Sequence, residues 1–180
     1  TWTVPRRIAS EELLPKIQKD PAFLARGGYE LRHQDGSPAD PGNIDWASLG
    51  VSNFPYTLVQ RAGPVNELGQ VKFLFPNKFG VCMHDTPKKH LFTLASRAFS
   101  HGCIRLQNPM DLAERLLETA GWTREQIDAQ LGTKKTHSIR LPEPVPIVVA
   151  YLTAAVGEAG MTYFYRDVYG LDRTRAASQE

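Results

Sequence analysis

The apolar positions at the start of the chain recur with the period of a helix. They are Leu13, Leu14 and Ile17. Ser10 precedes them and can cap this helix with its hydroxyl. Asp20-Pro21 indicates a second helix start, and Gly27-Gly28 would end that helix. The N-terminal part is therefore predicted to be helical.

Most of the remaining chain alternates between apolar and polar residues, as short strands do. The predicted strands are Tyr29 to His33, Tyr56 to Gln60, Val71 to Phe75, Gly80 to His84, Ser138 to Leu141, Ile147 to Val156 and Met161 to Tyr165. Between residues 36 and 55 the pattern is irregular. The stretch includes three apolar residues, Ile44, Trp46 and Leu49, which indicates that it packs against another part of the protein.

Two helices are predicted between the strands. Asn108-Pro109 opens a helix with Leu112, Leu116 and Leu117 on one face. The sequence from Thr123 to Gln126 is a capping box, and it opens a shorter helix that ends at Gly132. The predicted class is α+β: a mainly β core with helical insertions, a helical N-terminal segment, and a tail from Leu171 to Glu180 that frays.

Composition narrows the choice of function classes. The 180 residues are 42% hydrophobic and 22% charged, which is ordinary for one globular domain. A net charge of +2 gives no argument for nucleic acid or an anionic membrane as partner. The longest apolar run is about half the ~18 residues of a spanning helix, so no membrane span is predicted. Two cysteines are compatible with four arrangements: one disulfide bridge, two free thiols, metal ligands, or a nucleophile beside a cysteine that takes no part in the chemistry.

The richest chemistry lies around Cys103. A thiol is a strong nucleophile only as thiolate, so it needs an imidazole that takes its proton. Two candidates exist: His101, two positions before Cys103, and His84, at the end of a predicted strand. Gly102 permits a tight turn whose N–H groups could face an oxyanion, and the planar fork of Arg105 suits a carboxylate.

The order of these residues resembles a known signature. His84-x-Thr86, followed by Ser100-His101-Gly102-Cys103-Ile104-Arg105-Leu106 with 15 residues between His84 and Ser100, resembles the YkuD-type L,D-transpeptidase catalytic domain. Gly63 to Gly69 and Met83 to Pro87 resemble the large periplasmic branch, whose catalytic domain carries a helical capping insertion. Thr1 to Pro55 is similar to that insertion and its lead-in.

The resemblance implies a fold and a division of the chain. The fold would be a YkuD-type β-sandwich with an N-terminal helical cap, without the strands that precede the cap in this branch. Residues 1–55 would form the cap, residues 56–170 the catalytic domain, and residues 171–180 a tail. We predict that Ser10 to Pro55 is a mobile lid over the Cys103 cleft, the alternative being a rigid layer packed on a sheet face.

The resemblance also implies a role for each site residue. The implied catalytic residues are Cys103 as nucleophile, His84 as general base, and His101 and Gly102 on the oxyanion side. The implied substrate-binding residues are Arg105, Ser100 and Thr86. A backbone carbonyl, that of Asp85, would hold the His84 ring.

The implied reaction is L,D-transpeptidation of peptidoglycan. The thiol would attack the stem tetrapeptide at its third residue, meso-diaminopimelate, release the terminal D-Ala and form a thioester. A neighbouring stem amine would then give a cross-link between two third-position residues; a lipoprotein amine or water is the open alternative as acceptor. The implied compartment is the periplasm of a Gram-negative bacterium, carbapenems are the implied inhibitors, and no cofactor or metal is needed.

Two other function classes remain open. Cys82-x-His84 and His101-x-Cys103 together could form a Cys₂His₂ zinc site. A cell-wall binding module that has lost its chemistry is the second, and the intact Cys103, His84 and Arg105 argue against it. Cys82 lies on the face of His84 and is interpreted as a small filler near the site, with a redox role as the lesser alternative.

Overall fold

A computed structural model describes residues 1–172 of the chain. Contacts divide it into two compact units, Thr1–Pro142 and a second unit that begins at Glu143. The frayed tail is predicted to begin at Leu171, and its part beyond Asp172 lies outside the described residues.

The first helical segment starts earlier than predicted. It consists of α1 (Arg6–Ile8), a π-helical turn (Ala9–Leu13) and α2 (Leu14–Lys19) in direct succession. The prediction that Ser10 caps the helix is wrong. Ser10 is buried within the segment, and its hydroxyl donates to the carbonyl of Arg6 at 3.0 Å. The extended Pro5 directly before Arg6 lets the helix begin at the next residue.

A three-stranded antiparallel sheet packs against these helices. Its order is β1–β3–β2, and the elements are α3 (Ala22–Arg26), β1 (Trp2–Thr3), β2 (Tyr29–Arg32) and β3 (Thr57–Gln60). The predicted strands β2 and β3 and the helix end at Gly27 are confirmed. The core cluster consists of Val4, Ala9, Leu13, Leu14, Ile17, Leu24, Leu31, Trp46, Phe54 and Leu58. This core therefore lies wholly within the first 58 residues.

The irregular stretch from residue 36 to 55 contributes to that core. Trp46 is buried, and Ile44 and Leu49 pack against the same cluster. Two 3₁₀ turns, Pro41–Asn43 and Trp46–Ser48, are capped by the carboxylates of Asp40 and Asp45. This placement assigns the three apolar side chains to packing, as in the rigid-layer alternative, and the mobile lid stays a prediction.

A second small sheet follows in the chain. It contains β4 (Lys72–Phe73), β5 (Met83–His84) and β6 (Ile104–Arg105), in that order. β4 and β5 are antiparallel, whereas β5 and β6 are parallel. A 3₁₀ helix, Lys89–Thr93, lies in the connection between β5 and β6.

The helices after Cys103 are confirmed. They are α4 (Pro109–Glu118) and α5 (Arg124–Gly132). α4 buries Leu117 and half-buries Leu112 and Leu116. The capping box of α5 forms as predicted, since Thr123 N–H donates to Gln126 Oε1 at 2.9 Å and Gln126 N–H donates to Thr123 Oγ1 at 3.4 Å.

The second unit contains an antiparallel hairpin, β7 (Ala154–Val156) and β8 (Thr162–Phe164). The predicted strand from Ile147 is thus shortened to its last three residues, and Ser138 to Leu141 forms none. A strand needs a neighbour for its hydrogen bonds, and residues 138–153 pair with no strand in the described part of the chain. Sheets and helices together confirm the α+β class; the sandwich stays a prediction. Among residues 1–172, no helix has the length and apolar character to cross a bilayer.

Candidate active site

The parallel pairing of β5 with β6 brings four predicted or candidate residues together. His84 is directly opposite Arg105 in the register, and Cys82 and Cys103 each lie two residues earlier on the same two segments. Hydrogen bonds from Ile104 N–H to the Cys82 carbonyl (2.9 Å) and from Leu106 N–H to the His84 carbonyl (2.8 Å) hold the two segments. Because side chains alternate along a strand, all four of these residues lie on one face.

Two sulfur atoms meet on this face. Cys82 Sγ and Cys103 Sγ are 3.5 Å apart, and both residues are half-buried free thiols. Burial, together with the hydrogen bond to Cys103, raises the pKa of Cys82 to about 11. Cys82 therefore stays protonated at neutral pH, which leaves its S–H able to donate towards Cys103.

His84 is buried and held in one orientation. It is 4% exposed, and its Nδ1 contacts the carbonyl oxygen of Asp85, as predicted. A carbonyl can only accept, so Nδ1 carries the proton and Nε2 presents a lone pair. Burial lowers the pKa of His84, and the positive charge of Arg105 lowers it further. The ring is therefore neutral at neutral pH, as a proton acceptor must be.

Asp85 and Lys89 connect the two strands beyond the site. The Asp85 carboxylate accepts from Gln70 N–H at 2.9 Å and pairs with Lys89 Nζ at 2.6 Å. Lys89 Nζ also donates to the carbonyls of Leu106 (3.2 Å) and Gln107 (2.7 Å). One ammonium group thus ties the turn after His84 to the end of β6. Sequence reasoning missed Lys89; its spacing of four from Asp85 was the available signal.

The loop before Cys103 has a shape that requires glycine. Gly102 has φ +131°, and its N–H donates to Ser100 Oγ at 3.2 Å. Ser100 thereby stabilises the turn that leads into Cys103. The His101 ring points elsewhere: its Nε2 contacts Glu12 Oε1 at 2.5 Å, in the first helical segment. The oxyanion roles of His101 and Gly102 stay predictions.

The two remaining predicted residues differ in accessibility. Arg105 is half-buried, and its buried Nε has no hydrogen-bond partner within residues 1–172. Thr86 is 1% exposed, and its hydroxyl accepts from Lys88 N–H at 3.1 Å. Thr86 therefore shapes the turn after β5, while Arg105 Nε is a buried donor without an acceptor in the described part of the chain.

The model of the L,D-transpeptidase catalytic domain family YkuD matches residues 1–147. The chain belongs to the YkuD family. Every residue predicted for the site lies within the matched range, and so does the whole N-terminal helical segment.

A curated relative carries a name that agrees with the YkuD assignment. A Haemophilus influenzae protein named "Putative L,D-transpeptidase" is 38% identical over 172 residues. The match covers 96% of this chain and 35% of the relative. The chain thus spans about a third of the length of the curated relative it matches.

The zinc alternative finds no support in this YkuD domain. Among residues 1–172, no three or more His, Cys, Asp and Glu side chains group as metal ligands would. Of the four proposed ligands, Cys82 and Cys103 are close together, but the His101 ring is engaged by Glu12 and His84 Nδ1 by a carbonyl. A closed Cys₂His₂ site needs all four at one point.

Proposed function

We propose that this chain is the catalytic domain of a peptidoglycan L,D-transpeptidase with Cys103 as nucleophile and His84 as general base. The observation that carries the proposal is the face shared by Cys103 and a buried, neutral His84 whose ring is oriented by the Asp85 carbonyl. A thiol beside an oriented imidazole is the arrangement that cysteine acyl transfer requires.

The first half-reaction forms a thioester. Nε2 of His84 takes the thiol proton, and Cys103 Sγ attacks the carbonyl of the third stem residue, meso-diaminopimelate. The bond to the terminal D-Ala then breaks, and the His84 proton leaves with the D-Ala amine. In the second half-reaction a neighbouring stem amine gives its proton to His84, attacks the thioester and returns the thiol. The product is a cross-link between two third-position residues.

Substrate binding is assigned to Arg105, Ser100 and Thr86, in different ways. The planar fork of the half-buried Arg105 guanidinium suits a stem carboxylate. Ser100 lies exposed at the loop, whereas the buried Thr86 would act by holding the turn after β5. His101 and Gly102 are assigned to the oxyanion side, which requires the exposed loop before Cys103 to present N–H groups to substrate.

The biological setting follows from the substrate. Stem peptides of this kind are met in the periplasm of a Gram-negative bacterium, and we assign the protein to that compartment. Carbapenems, which offer a strained amide to the same thiol, are assigned as inhibitors. A lipoprotein amine or water in place of the stem amine would use the same thioester.

The test is intact-mass spectrometry after incubation with a carbapenem. We expect one covalent adduct per chain, mapped to Cys103, and none on Cys103→Ala. The matched control is Cys82→Ala, which should retain the adduct. An adduct on Cys103→Ala, or one mapped to Cys82, would contradict the assignment of the nucleophile. A wild-type chain that stays unmodified while folded would favour the binding module without chemistry.

A further inference from the structure

Cys82 and Cys103 are two free thiols whose sulfur atoms are close enough to react with one another. We propose that Cys82 and Cys103 are a reversible redox modification site, in which Cys82 resolves an oxidised Cys103 as an intrachain disulfide. This inference needs only the two thiols, so it stands or falls separately from the proposed reaction.

The geometry permits the bond without movement of the strands. Met83 is paired with Ile104 in the ladder, so Cys82 and Cys103, the residues before them, lie side by side on segments that a sheet holds about 4.8 Å apart. A disulfide joins Cα atoms roughly 4.4–6.8 Å apart, so the backbone is already within range. The sulfur atoms, now 3.5 Å apart, would reach the bond length of about 2 Å by rotation of the two side chains.

The hydrogen bonds on both sides keep this register. Ile104 N–H donates to the carbonyl of Cys82 itself, and Lys89 ties the ends of the two segments together further on. The two thiols therefore cannot drift apart while one of them is being oxidised. Such a fixed neighbour gives Cys82 a large advantage over any thiol in solution.

The chemistry needs a peroxide as oxidant and balances in two steps. The Cys103 thiolate attacks one peroxide oxygen, the O–O bond breaks, and hydroxide leaves, so Cys103 becomes a sulfenic acid. The Cys82 sulfur then attacks the Cys103 sulfur; the S–O bond breaks, and the Cys82 proton leaves with the hydroxyl as water. Two thiols are oxidised to one disulfide, and one peroxide is reduced to two waters.

The two cysteines have different parts in this scheme. Cys82 is protonated at neutral pH, so it is a poor first target for peroxide. Cys103 follows an exposed loop and has His84 on its face, so it is oxidised first. The disulfide then withdraws the nucleophile reversibly and prevents its irreversible oxidation to sulfinic or sulfonic acid.

The experiment treats the purified chain with hydrogen peroxide and follows each thiol by mass. For the wild type we expect an intact mass lower by two hydrogens, a linked Cys82–Cys103 peptide, and loss of both thiols to iodoacetamide when the reagent is added after the chain has been unfolded in urea. Dithiothreitol should restore both. Accumulation of sulfinic or sulfonic Cys103 beside an alkylatable Cys82, or linkage only between chains, would overturn the proposal.

Two variants separate the parts played by the cysteines. Cys82→Ala should gain two or three oxygens on Cys103 that dithiothreitol does not remove, with Cys82→Ser as the second variant if the first does not fold. Cys103→Ala should leave Cys82 reduced under the same treatment. If Cys82→Ala recovers its Cys103 thiol as fully as the wild type does, Cys82 is not the resolving residue. A wild type that forms the disulfide yet takes no carbapenem adduct when reduced would refute only the transpeptidase.

Discussion

His84 is the residue whose surroundings say most about the chemistry. Its Nδ1 proton is committed to the Asp85 carbonyl, and burial keeps its pKa below the ordinary 6.5. Protonation would place a charge in a buried position, so the neutral ring is the stable form at neutral pH. Only a neutral ring can accept the thiol proton, and the orientation of His84 leaves its Nε2 for that role, whereas Nε2 of His101 contacts Glu12 Oε1.

This difference between the two histidines leads to a kinetic prediction. Alkylation of Cys103 by iodoacetamide near neutral pH should depend on His84 as the acceptor of the thiol proton. His84→Ala should slow this alkylation about tenfold or more near neutral pH, since the thiol then loses its acceptor. As pH falls below 6.5 the wild-type rate should fall too, because the His84 ring takes up a proton.

The measurement is a pH series of alkylation rates with the modified cysteine identified by peptide mapping. His101→Ala is the matched control, and its rate should stay near that of the wild type. Cys82 should remain unmodified near neutral pH because its pKa is about 11. A greater loss in His101→Ala than in His84→Ala would transfer the base role to His101.

Gly69 lies against the Asp85 side chain, and the effect of replacing it can be compared with that of replacing a second glycine, Gly80. It has φ +62°, and a Cβ added there would overlap the carboxylate of Asp85. Gly80 has φ +64°, and its Cβ would meet nothing within 4 Å. Gly80→Ala should therefore cost only the left-handed backbone penalty of about 1–2 kcal/mol. Gly69→Ala should cost about 1–3 kcal/mol more, since Asp85 must also move.

Urea unfolding of the two variants, compared with the wild type, measures both costs. In Gly69→Ala, the loss of stability should be accompanied by slower alkylation of Cys103, because the Asp85 carbonyl also orients His84. Equal destabilisation by the two substitutions would mean that the contact between Gly69 and Asp85 is relieved without cost.

Sequence reasoning named the candidate residues of the site but not all of the contacts that they make. The order Ser100 to Cys103 and its distance from His84 are local patterns, so they were visible. The pairing of Cys82 with Cys103 depends on the register of β5 against β6, which no local pattern specifies. The contact of His101 with Glu12 joins positions 89 apart in the chain. Such long-range contacts come from packing and could not be predicted.

At the scale of elements, the capping box of α5 is the clearest case of local sequence deciding structure. Both of its hydrogen bonds are formed, between Thr123 and Gln126. Thr123→Ala should lower the free energy of unfolding by about 1 kcal/mol, because the side chain no longer accepts from an N–H of the first turn. Thr123→Ser keeps an acceptor and should lose much less.

Thermal unfolding followed by circular dichroism measures the effect on α5. Alkylation of Cys103 in the folded variants should be unchanged, since Thr123 contacts none of the site residues in the structure. If Thr123→Ser were as unstable as Thr123→Ala, the hydroxyl would not be the stabilising group.

Elements were predictable where the signal was local and failed where a partner was needed. The helix at Pro109 has its proline at the first helical position, and the strands near Tyr29 and Thr57 have their own alternation. All three lie within a residue or two of the prediction. Ile147 to Val156 is apolar enough for a strand, yet only its end pairs, because hydrogen bonding to β8 begins at Ala154. β-propensity depends on a neighbouring strand in a way that helix capping does not.

At the scale of the whole molecule, the N-terminal segment contributes a hydrophobic core. The core cluster lies in residues 4–58, and β3 pairs with β1 and β2 in one sheet. The Glu12–His101 contact joins this part to the loop that precedes Cys103. Within the first unit, the N-terminal segment therefore supplies the core cluster and contacts the Cys103 loop through the Glu12–His101 pair.

The packing role can be separated from a lid by one tryptophan substitution. Trp46 is 7% exposed, packs in the core cluster and donates Nε1–H to the Pro41 carbonyl at 3.1 Å. Trp46→Ala should lower the free energy of unfolding by about 3–5 kcal/mol through loss of buried area and a cavity. Trp122→Ala is the control, because Trp122 is half-buried and lies outside that cluster, so it should cost clearly less.

Two measurements on the folded fraction distinguish the alternatives. Urea unfolding gives the stability, and product analysis with a stem-peptide donor and an amine acceptor gives the ratio of hydrolysis to transfer. If the segment is a packing layer, Trp46→Ala lowers stability while the ratio stays at the wild-type value. If Ser10 to Pro55 is a lid that excludes water from the thioester, the ratio rises in favour of hydrolysis, because apolar cover has been removed. The burial of Trp46 in the core, rather than at the Cys103 face, favours the first result.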